Sequence, residues 1–304
     1  MKHDFPIVLW LILLFIISQL FGLFLLTVDI QEVAVDESTG SIQVVYEETA
    51  LGPRPATQGV GSFLYLALGV GIGTGLLLIL IHFRKLLTWK IWFFFAVAMA
   101  TTLALGVFLP STVAFLIAVV LALWKLIKPN VVVHNLTEVF MYAGIALFLA
   151  PLFDLLWGVI LLLAISLYDM YAVWKSKHMV KMATFLTDSK AFAGLSIPYR
   201  SKTSSKKTKG HKKVVGKKKM AILGGGDMAF PLIFAGTVLV WLIQQGFDKT
   251  VAFYVTLLIP LFATLALSFL FWKSEKGKFY PAMPFLSAGC FLGLACVGVV
   301  QLLI

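Results

Sequence analysis

The sequence predicts an all-α polytopic membrane protein with about nine transmembrane helices, and three observations lead to this fold class. The chain is 60% hydrophobic and only 13% charged, whereas soluble domains carry about 25% charged residues. Crossing a hydrocarbon core of about 30 Å takes about 20 helical residues, and apolar runs of that length recur along the chain. The basic residues also concentrate in every second loop between these runs, as they do on the cytoplasmic side of membrane proteins. These features exclude a soluble globular protein.

Apolar runs separated by short polar or proline-containing segments define the predicted spans. Pro110 and Pro151 each divide a long apolar stretch without a clear polar loop, so each marks either a turn or a kink. Turns are favoured because each undivided stretch would be about twice the length that a bilayer needs. The predicted spans are 5–28, 62–82, 91–109, 111–126, 131–150, 152–174, 220–244, 250–272 and 280–304.

The distribution of lysine and arginine predicts the orientation. If the N-terminus lies inside, only Arg54 and Lys249 of the 25 Lys and Arg residues fall on the outer side. Because cytoplasmic loops are enriched in these residues, we expect the N-terminus and the 175–219 loop in the cytoplasm and the C-terminus outside. The net charge of +11 arises mainly in 202–219. A basic inner loop beside anionic lipid explains this charge, and nucleic-acid binding is not expected.

The chain divides into three predicted regions. Residues 1–174 hold six spans and an acidic outer loop at 29–61, residues 175–219 form a basic inner loop, and residues 220–304 hold three spans. Residues 41–46 of the outer loop have the composition of a strand and predict a short hairpin. The Ser/Lys/Thr/Gly tract that ends the inner loop is predicted to be disordered. The second span carries four glycines whose spacing predicts close helix packing: Gly69, Gly71, Gly73 and Gly75.

Acidic residues inside the spans are the strongest functional signal. A charged, unpaired carboxylate there costs about 2.5–3.5 kcal/mol on insertion scales, so each one needs an explanation. Of the 14 acidic residues, Glu138 and Asp154 lie near the ends of their spans, where they could reach an interface. Asp169 and Asp227 lie deeper, at about 9 Å and about 12 Å from the inner boundary. On neighbouring antiparallel helices these two carboxylates would share a depth and could face each other.

Two carboxylates at such a short distance suit peptide hydrolysis. Both cannot ionise together, so the pair shares one proton. The ionised partner can remove a proton from water while the protonated partner polarises the scissile carbonyl, and the roles reverse as the amine leaves. The nucleophile is then water, and no metal or other cofactor is expected.

Motifs beside each acid favour the binding of a peptide. Three glycines, residues 224–226, precede Asp227 and remove the side-chain bulk that would keep substrate and water from the acid. A glycine cluster that only serves helix packing is the alternative. Pro281 and Pro284 prevent a regular helix start and leave free backbone groups, which could hold an extended peptide by strand addition. A helix that simply begins with proline is the alternative here.

Three motifs resemble, in order and topology, the signatures of the presenilin and signal peptide peptidase family of intramembrane aspartyl proteases: Tyr168-Asp169, Gly224-Gly225-Gly226-Asp227 and Pro281-Ala282-Met283-Pro284. The stretch 168–173, the closing Pro284 and the inside placement of the long basic loop are similar to the presenilin branch. Met283 stands where the family usually has leucine, and Gly225 occupies the variable position of the glycine motif. The short chain resembles a microbial presenilin homologue more than the animal protein.

This resemblance implies a presenilin-like fold and an aspartic endopeptidase of the GxGD type, with Asp169 and Asp227 as the catalytic residues. Tyr168, the glycines 224–226 and the proline motif 281–284 would support substrate binding. The implied substrates are single transmembrane helices left after an outer domain has been shed. Assembly into a homo-oligomer is compatible with the sequence.

Two other functions draw on similar residues. An ion or solute transporter or channel could use paired intramembrane acids, but such acids are few here and no internal repeat is evident. A prepilin-type peptidase shares a Gly-x-Gly-Asp motif. It should lack both the Tyr168-Asp169 pair within a span and the proline motif, so it ranks below the other two functions.

Overall fold

The structure, a computed structural model, describes residues 5–35, 42–57, 59–83, 85–128, 130–176, 191–200, 218–274 and 280–303. Its helices are α1 (Phe5–Asp29), α2 (Val60–His82), α3 (Leu86–Leu105), α4 (Ser111–Ile127), α5 (Val131–Leu149), α6 (Leu155–Tyr171), α7 (Gly225–Gln244), α8 (Lys249–Thr256), α9 (Leu258–Lys273) and α10 (Met283–Leu303). Its strands are β1 (Ile30–Val35), β2 (Ile42–Tyr46), β3 (Gly194–Arg200) and β4 (Lys218–Gly224). The tract predicted to be disordered falls largely outside the described residues.

Helices long enough to cross a bilayer dominate the fold. Among the described residues, eight segments are sufficiently long and apolar, and α4 is a shorter apolar helix. The all-α polytopic fold class is thereby confirmed. One of these segments, Lys249–Lys273, consists of α8 and α9, which are separated at Leu257. Pro260 explains the break, because proline has no N–H to donate to the carbonyl of Thr256 and its ring clashes with that carbonyl.

The two prolines with ambiguous roles both mark turns, as predicted. Pro110 directly precedes α4 and adopts an extended conformation. Pro151 lies in a short 3-10 turn that separates α5 from α6. Asp154 then caps α6, and its side chain accepts a hydrogen bond of 2.9 Å from the amide of Trp157. This capping contact accounts for the acidic residue at the start of the sixth span.

An antiparallel hairpin of β1 and β2 covers one end of the bundle and confirms the hairpin expected in the outer loop. Arg54 forms an ion pair of 2.5 Å with Asp29, the last residue of α1. The ammonium of Lys249 donates a hydrogen bond of 2.6 Å to the carbonyl of Ile30. The two basic residues that the sequence assigns to the outer side therefore bind the same corner of the protein.

A second hairpin, of β3 and β4, corrects the predicted seventh span. That span was expected to begin at residue 220, but residues 218–224 form a strand that pairs in antiparallel register with β3, and the helix begins only at Gly225. The apolar stretch before the glycines does not distinguish a strand from a helix. Asp227 therefore lies in the first turn of α7 and not two turns inside it.

Helix α7 lies at the centre of the bundle, where α1, α5, α6 and α10 pack against it. Among the described glycines, Gly144 of α5 has the tightest contact: an added β-carbon would lie 1.8 Å from the carbonyl oxygen of Ala100 in α3. Helix α2, by contrast, is peripheral. The close packing predicted for its glycines is wrong for Gly69, Gly71 and Gly75, where β-carbons would meet no described atom within 4 Å, whereas one at Gly73 would lie 3.7 Å from the Trp92 ring of α3.

Two alanine substitutions test this difference. Gly144→Ala is expected to lower the free energy of unfolding by about 1–3 kcal/mol, because α3 and α5 must separate to admit the methyl group. Gly69→Ala is expected to leave it unchanged or raise it by up to about 1 kcal/mol, because alanine is the better helix former. Thermal unfolding of both variants in one detergent measures the effect. Equal losses in the two variants would contradict the packing described for α5.

Candidate active site

Asp169 lies near the end of α6, where the helix changes into a π-helical turn at Ala172–Ser176. Its side chain is buried, and its Oδ2 accepts a hydrogen bond of 3.1 Å from the amide of Met283. Met283 is the first residue of α10, so this amide has no acceptor within its own helix. The start of α10 therefore binds the acid of α6 directly.

Asp227 lies half-buried in the first turn of α7. Gly224 precedes the helix in an extended conformation, and an added β-carbon there would lie 3.1 Å from Oδ2 of Asp227. The carboxylate thus folds back over the glycine, in space that a larger residue would fill. Pro231, four residues later, has no N–H, so the main-chain carbonyl of Asp227 lacks its intrahelical donor. Gly224 therefore leaves space beside the carboxylate, and Pro231 leaves the main-chain carbonyl of Asp227 without its helical donor.

Three helices bring the two acids together. Helices α6 and α7 are in contact, since a β-carbon on Gly158 would lie 3.3 Å from the side chain of Thr237. Helix α10 joins α6 through a hydrogen bond of 2.7 Å between Ser166 and Ser287. Gly158 lies 11 residues before Asp169 and Thr237 lies 10 residues after Asp227, so this contact between antiparallel helices places the two acids at the same end of the pair. The neighbouring antiparallel helices that the sequence argument required are present.

Some of the other predicted site residues lie beside the two acids, and others lie at the edge of the site. The glycines 224–226 and Met283 lie beside the acids, whereas the Tyr168 side chain is 48% exposed on the surface of α6. Pro284 borders an apolar groove of about 570 Å³ between α9 and α10. The prediction of free backbone groups in the proline motif needs one correction. The Met283 amide is already bound to Asp169 and is not open to a peptide.

The β3–β4 hairpin reaches the site through its last residue pair, Gly194 and Gly224. Gly194 has a φ of 143°, and an added β-carbon would lie 2.3 Å from the carbonyl oxygen of Leu223, so only glycine fits. In the described part of the chain the sheet contains only these two strands, so β4 has an open edge. An edge strand thus leads straight into the acid of α7.

One buried group of side chains was not recognised as part of this region. Glu138 was expected to reach an interface, but it is completely buried and forms an ion pair with Lys125, which is 3% exposed. The hydroxyl of Tyr142 also donates to Glu138. A signal for this pair exists in the sequence, because Lys125 and Glu138 lie in consecutive helices, each nearer the end that the short connection joins.

Gln19 is a second buried polar residue that the sequence argument missed. Its Nε2 donates a hydrogen bond of 2.9 Å to the carbonyl of Met228, the residue after Asp227. Helix α1 therefore also holds the start of α7. Within the described ranges no three His, Cys, Asp or Glu side chains cluster as ligands of a metal ion would.

Comparisons with known proteins agree on one family. A family model described as signal-peptide peptidase, presenilin aspartyl protease matches residues 12–303. One solved structure of a presenilin family intramembrane aspartate protease, in space group C222, has a TM-score of 0.60 at 16% identity and covers 96% of this chain and 99% of its own. Another, in space group P2, has a TM-score of 0.61 at 17% identity, with coverages of 98% and 100%. A search of curated proteins gives no match.

Proposed function

This chain belongs to the family of signal-peptide peptidase and presenilin aspartyl proteases, and we propose that Asp169 and Asp227 hydrolyse peptide bonds of transmembrane helices. The observation that supports this most strongly is the placement of two acids at the same end of neighbouring antiparallel spans, in a bundle where a lone charge would be costly. The proposed enzyme is an aspartic endopeptidase of the GxGD type.

The proposed reaction uses water as its nucleophile and no metal or other cofactor. Two adjacent carboxylates share one proton. The ionised acid takes a proton from water, which attacks the carbonyl carbon of the substrate, while the protonated acid donates a hydrogen bond to the carbonyl oxygen. The tetrahedral intermediate then collapses as a proton passes to the leaving amine, and the C–N bond breaks. The acid that removed the proton from water then supplies a proton to the amine, so the roles of the two acids reverse.

The proposed substrates are single transmembrane helices in the bilayer. A helix holds its scissile bonds within its own hydrogen-bond ladder, so a stretch must unwind before water can attack. The unwound stretch would need new partners for its backbone, and the open edge of β4 can supply them by strand addition. Met220 and Ile222 on that strand are 44% and 43% exposed, so their side chains are available to contact a bound peptide.

The proposed orientation places the N-terminus and the 175–219 loop in the cytoplasm and the C-terminus outside. It rests on the distribution of basic residues, only two of which, Arg54 and Lys249, fall on the other side. The inner loop would contact anionic lipid, and nucleic acid is not a proposed partner. We expect an epitope inserted within 201–217 to be inaccessible to antibody in intact cells and one within 36–41 to be accessible. The reverse pattern would contradict the orientation.

Substitution of each acid tests the catalytic assignment. Asp169→Asn and Asp227→Asn are each expected to lower cleavage of a single-span substrate in liposomes by about 100-fold or more, because asparagine can neither accept nor donate the required proton. Asp154→Asn is the matched control. Asparagine caps a helix as well as aspartate does, so this variant should keep parental activity.

The outcomes separate the proposal from the rival functions. Parental cleavage by both active-site variants would refute the proposed catalytic pair. If instead no cleavage occurs in the parent and the two variants lose ion or solute flux across the liposome membrane, the pair serves a transporter or channel.

The stability of the substrate helix tests the unwinding step. We expect substrates with glycine near the scissile bond to be cleaved faster than substrates with leucine there, by about 5-fold for each 1 kcal/mol of helix stability removed. The measurement is the initial cleavage rate for a series of substrates matched in length and flanking charge. A rate that does not change with helix stability would show that unwinding does not limit cleavage.

A further inference from the structure

A buried charged cluster between α4 and α5 lies close to the segment that carries Asp227. Glu138 is fully buried and receives donors from three directions: the ammonium of Lys125, the hydroxyl of Tyr142 and, at 2.8 Å, the amide of Gly194. Because each donor comes from a different part of the chain, Glu138 joins α4, α5 and the β3–β4 hairpin at one point. The proposed hydrolysis does not use any of these side chains.

The burial of this cluster requires an explanation beyond stability. Removing two charges from water is expensive, and replacing a buried ion pair by well-packed apolar residues is often neutral or stabilising. An apolar replacement, however, would leave the Gly194 amide without its carboxylate acceptor. The contact that depends on the charged cluster is therefore the one with the backbone of the hairpin.

Other polar residues of α5 bind the same hairpin. The Asn135 side chain exchanges two hydrogen bonds of 2.9 Å with the amide and carbonyl of Ser196. The His134 ring lies 2.8 Å from the carbonyl oxygen of Gly194. One face of α5 thus pairs with β3 much as a neighbouring strand would. The hairpin is held on that side by side chains of α5.

The cluster also reaches the segment that carries Asp227. Gly194, bound by Glu138, pairs with Gly224 at the end of β4. From the other direction, a β-carbon on Gly225 would lie 2.9 Å from the hydroxyl of Tyr142. The cluster therefore lies directly beside Gly225 and reaches Gly224 through its partner Gly194, and both glycines are three residues or fewer from the acid.

We propose that Glu138, Lys125 and Tyr142 are positioning residues that fix the β3–β4 hairpin and thereby hold Asp227 in its reactive position. They do not touch the substrate. Their effect on catalysis rests on the proposed function, whereas their effect on the hairpin does not. A misplacement of about 1 Å at a reacting group can lower a rate by about 100-fold, so a small shift of the hairpin is sufficient to matter.

Substitutions in the full-length protein in liposomes test the proposal. Glu138→Gln and Tyr142→Phe are expected to lower kcat for a single-span substrate by about 10-fold or more, with KM within about 2-fold of the parent, because the acid moves while the rest of the site remains. Adding Lys125→Met to Glu138→Gln should recover most of kcat. The glutamine oxygen can then accept both remaining donors, and its amide no longer faces an ammonium group.

Matched controls lie at the opposite end of the bundle. Asp29→Asn removes one partner of the buried Asp29–Arg54 ion pair, and Tyr46→Phe removes a buried hydroxyl that makes no hydrogen bond with any described residue. Both are expected to keep kcat within about 2-fold of the parent, even where they change stability. Asp29→Asn controls for the general loss of a buried ion pair, and Tyr46→Phe controls for the removal of a buried tyrosine hydroxyl as such.

Hydrogen–deuterium exchange of residues 218–224 provides a reading that does not need activity. Exchange there should become faster in Glu138→Gln and Tyr142→Phe and stay unchanged in both controls. If the parent cleaves no substrate but the exchange results hold, the proposed function fails and the positioning of the hairpin stands. Parental kcat and parental exchange in folded Tyr142→Phe would overturn the proposal, and this variant decides the matter if Glu138→Gln does not fold.

Discussion

Backbone groups that leave a helix inside a bilayer must find hydrogen-bond partners within the protein, because lipid offers none. The region around the two acids depends on this constraint. The chain enters α7 from strand β4, and the N–H and C=O groups along one side of this strand form hydrogen bonds with β3. Strand β3 in turn is bound by Asn135 and Glu138 of α5. The polar residues of α5 thus allow extended backbone to lie directly beside Asp227.

The helices of the bundle follow from features that the sequence displays openly. Apolar length predicts most of the spans, and the prolines at 110 and 151 predict the turns between them. The spacing of Asp169 and Asp227 from the nearest basic residues predicts that they share a depth, and the family resemblance extends this prediction to a protease. These features are local in the chain, so no knowledge of the packing is needed to recognise them.

The features that were missed depend on contacts between distant residues. Residues 218–224 are as compatible with a helix as with a strand, and the pairing with β3 decides between the two. The spacing of glycines in the sequence likewise does not reveal which residues pack against them. Three of the four glycines in the α2 series face open space, whereas the single Gly144 lies against the backbone of α3. Glu138 and Lys125 were treated separately, as an acid near an interface and a marker of orientation, because their positions in the chain do not show that the long lysine side chain reaches the acid of the next helix.

The hydrogen bond from Met283 to Asp169 uses a backbone amide, and this choice affects how freely position 283 can vary. Every amino acid except proline carries that donor, so replacement of the side chain leaves the acid's partner in place. The side chain itself is 3% exposed and has only to fill apolar space. Exchange between leucine, usual in the family, and methionine at this position conserves volume, so either residue keeps the amide donor and fills the same apolar space.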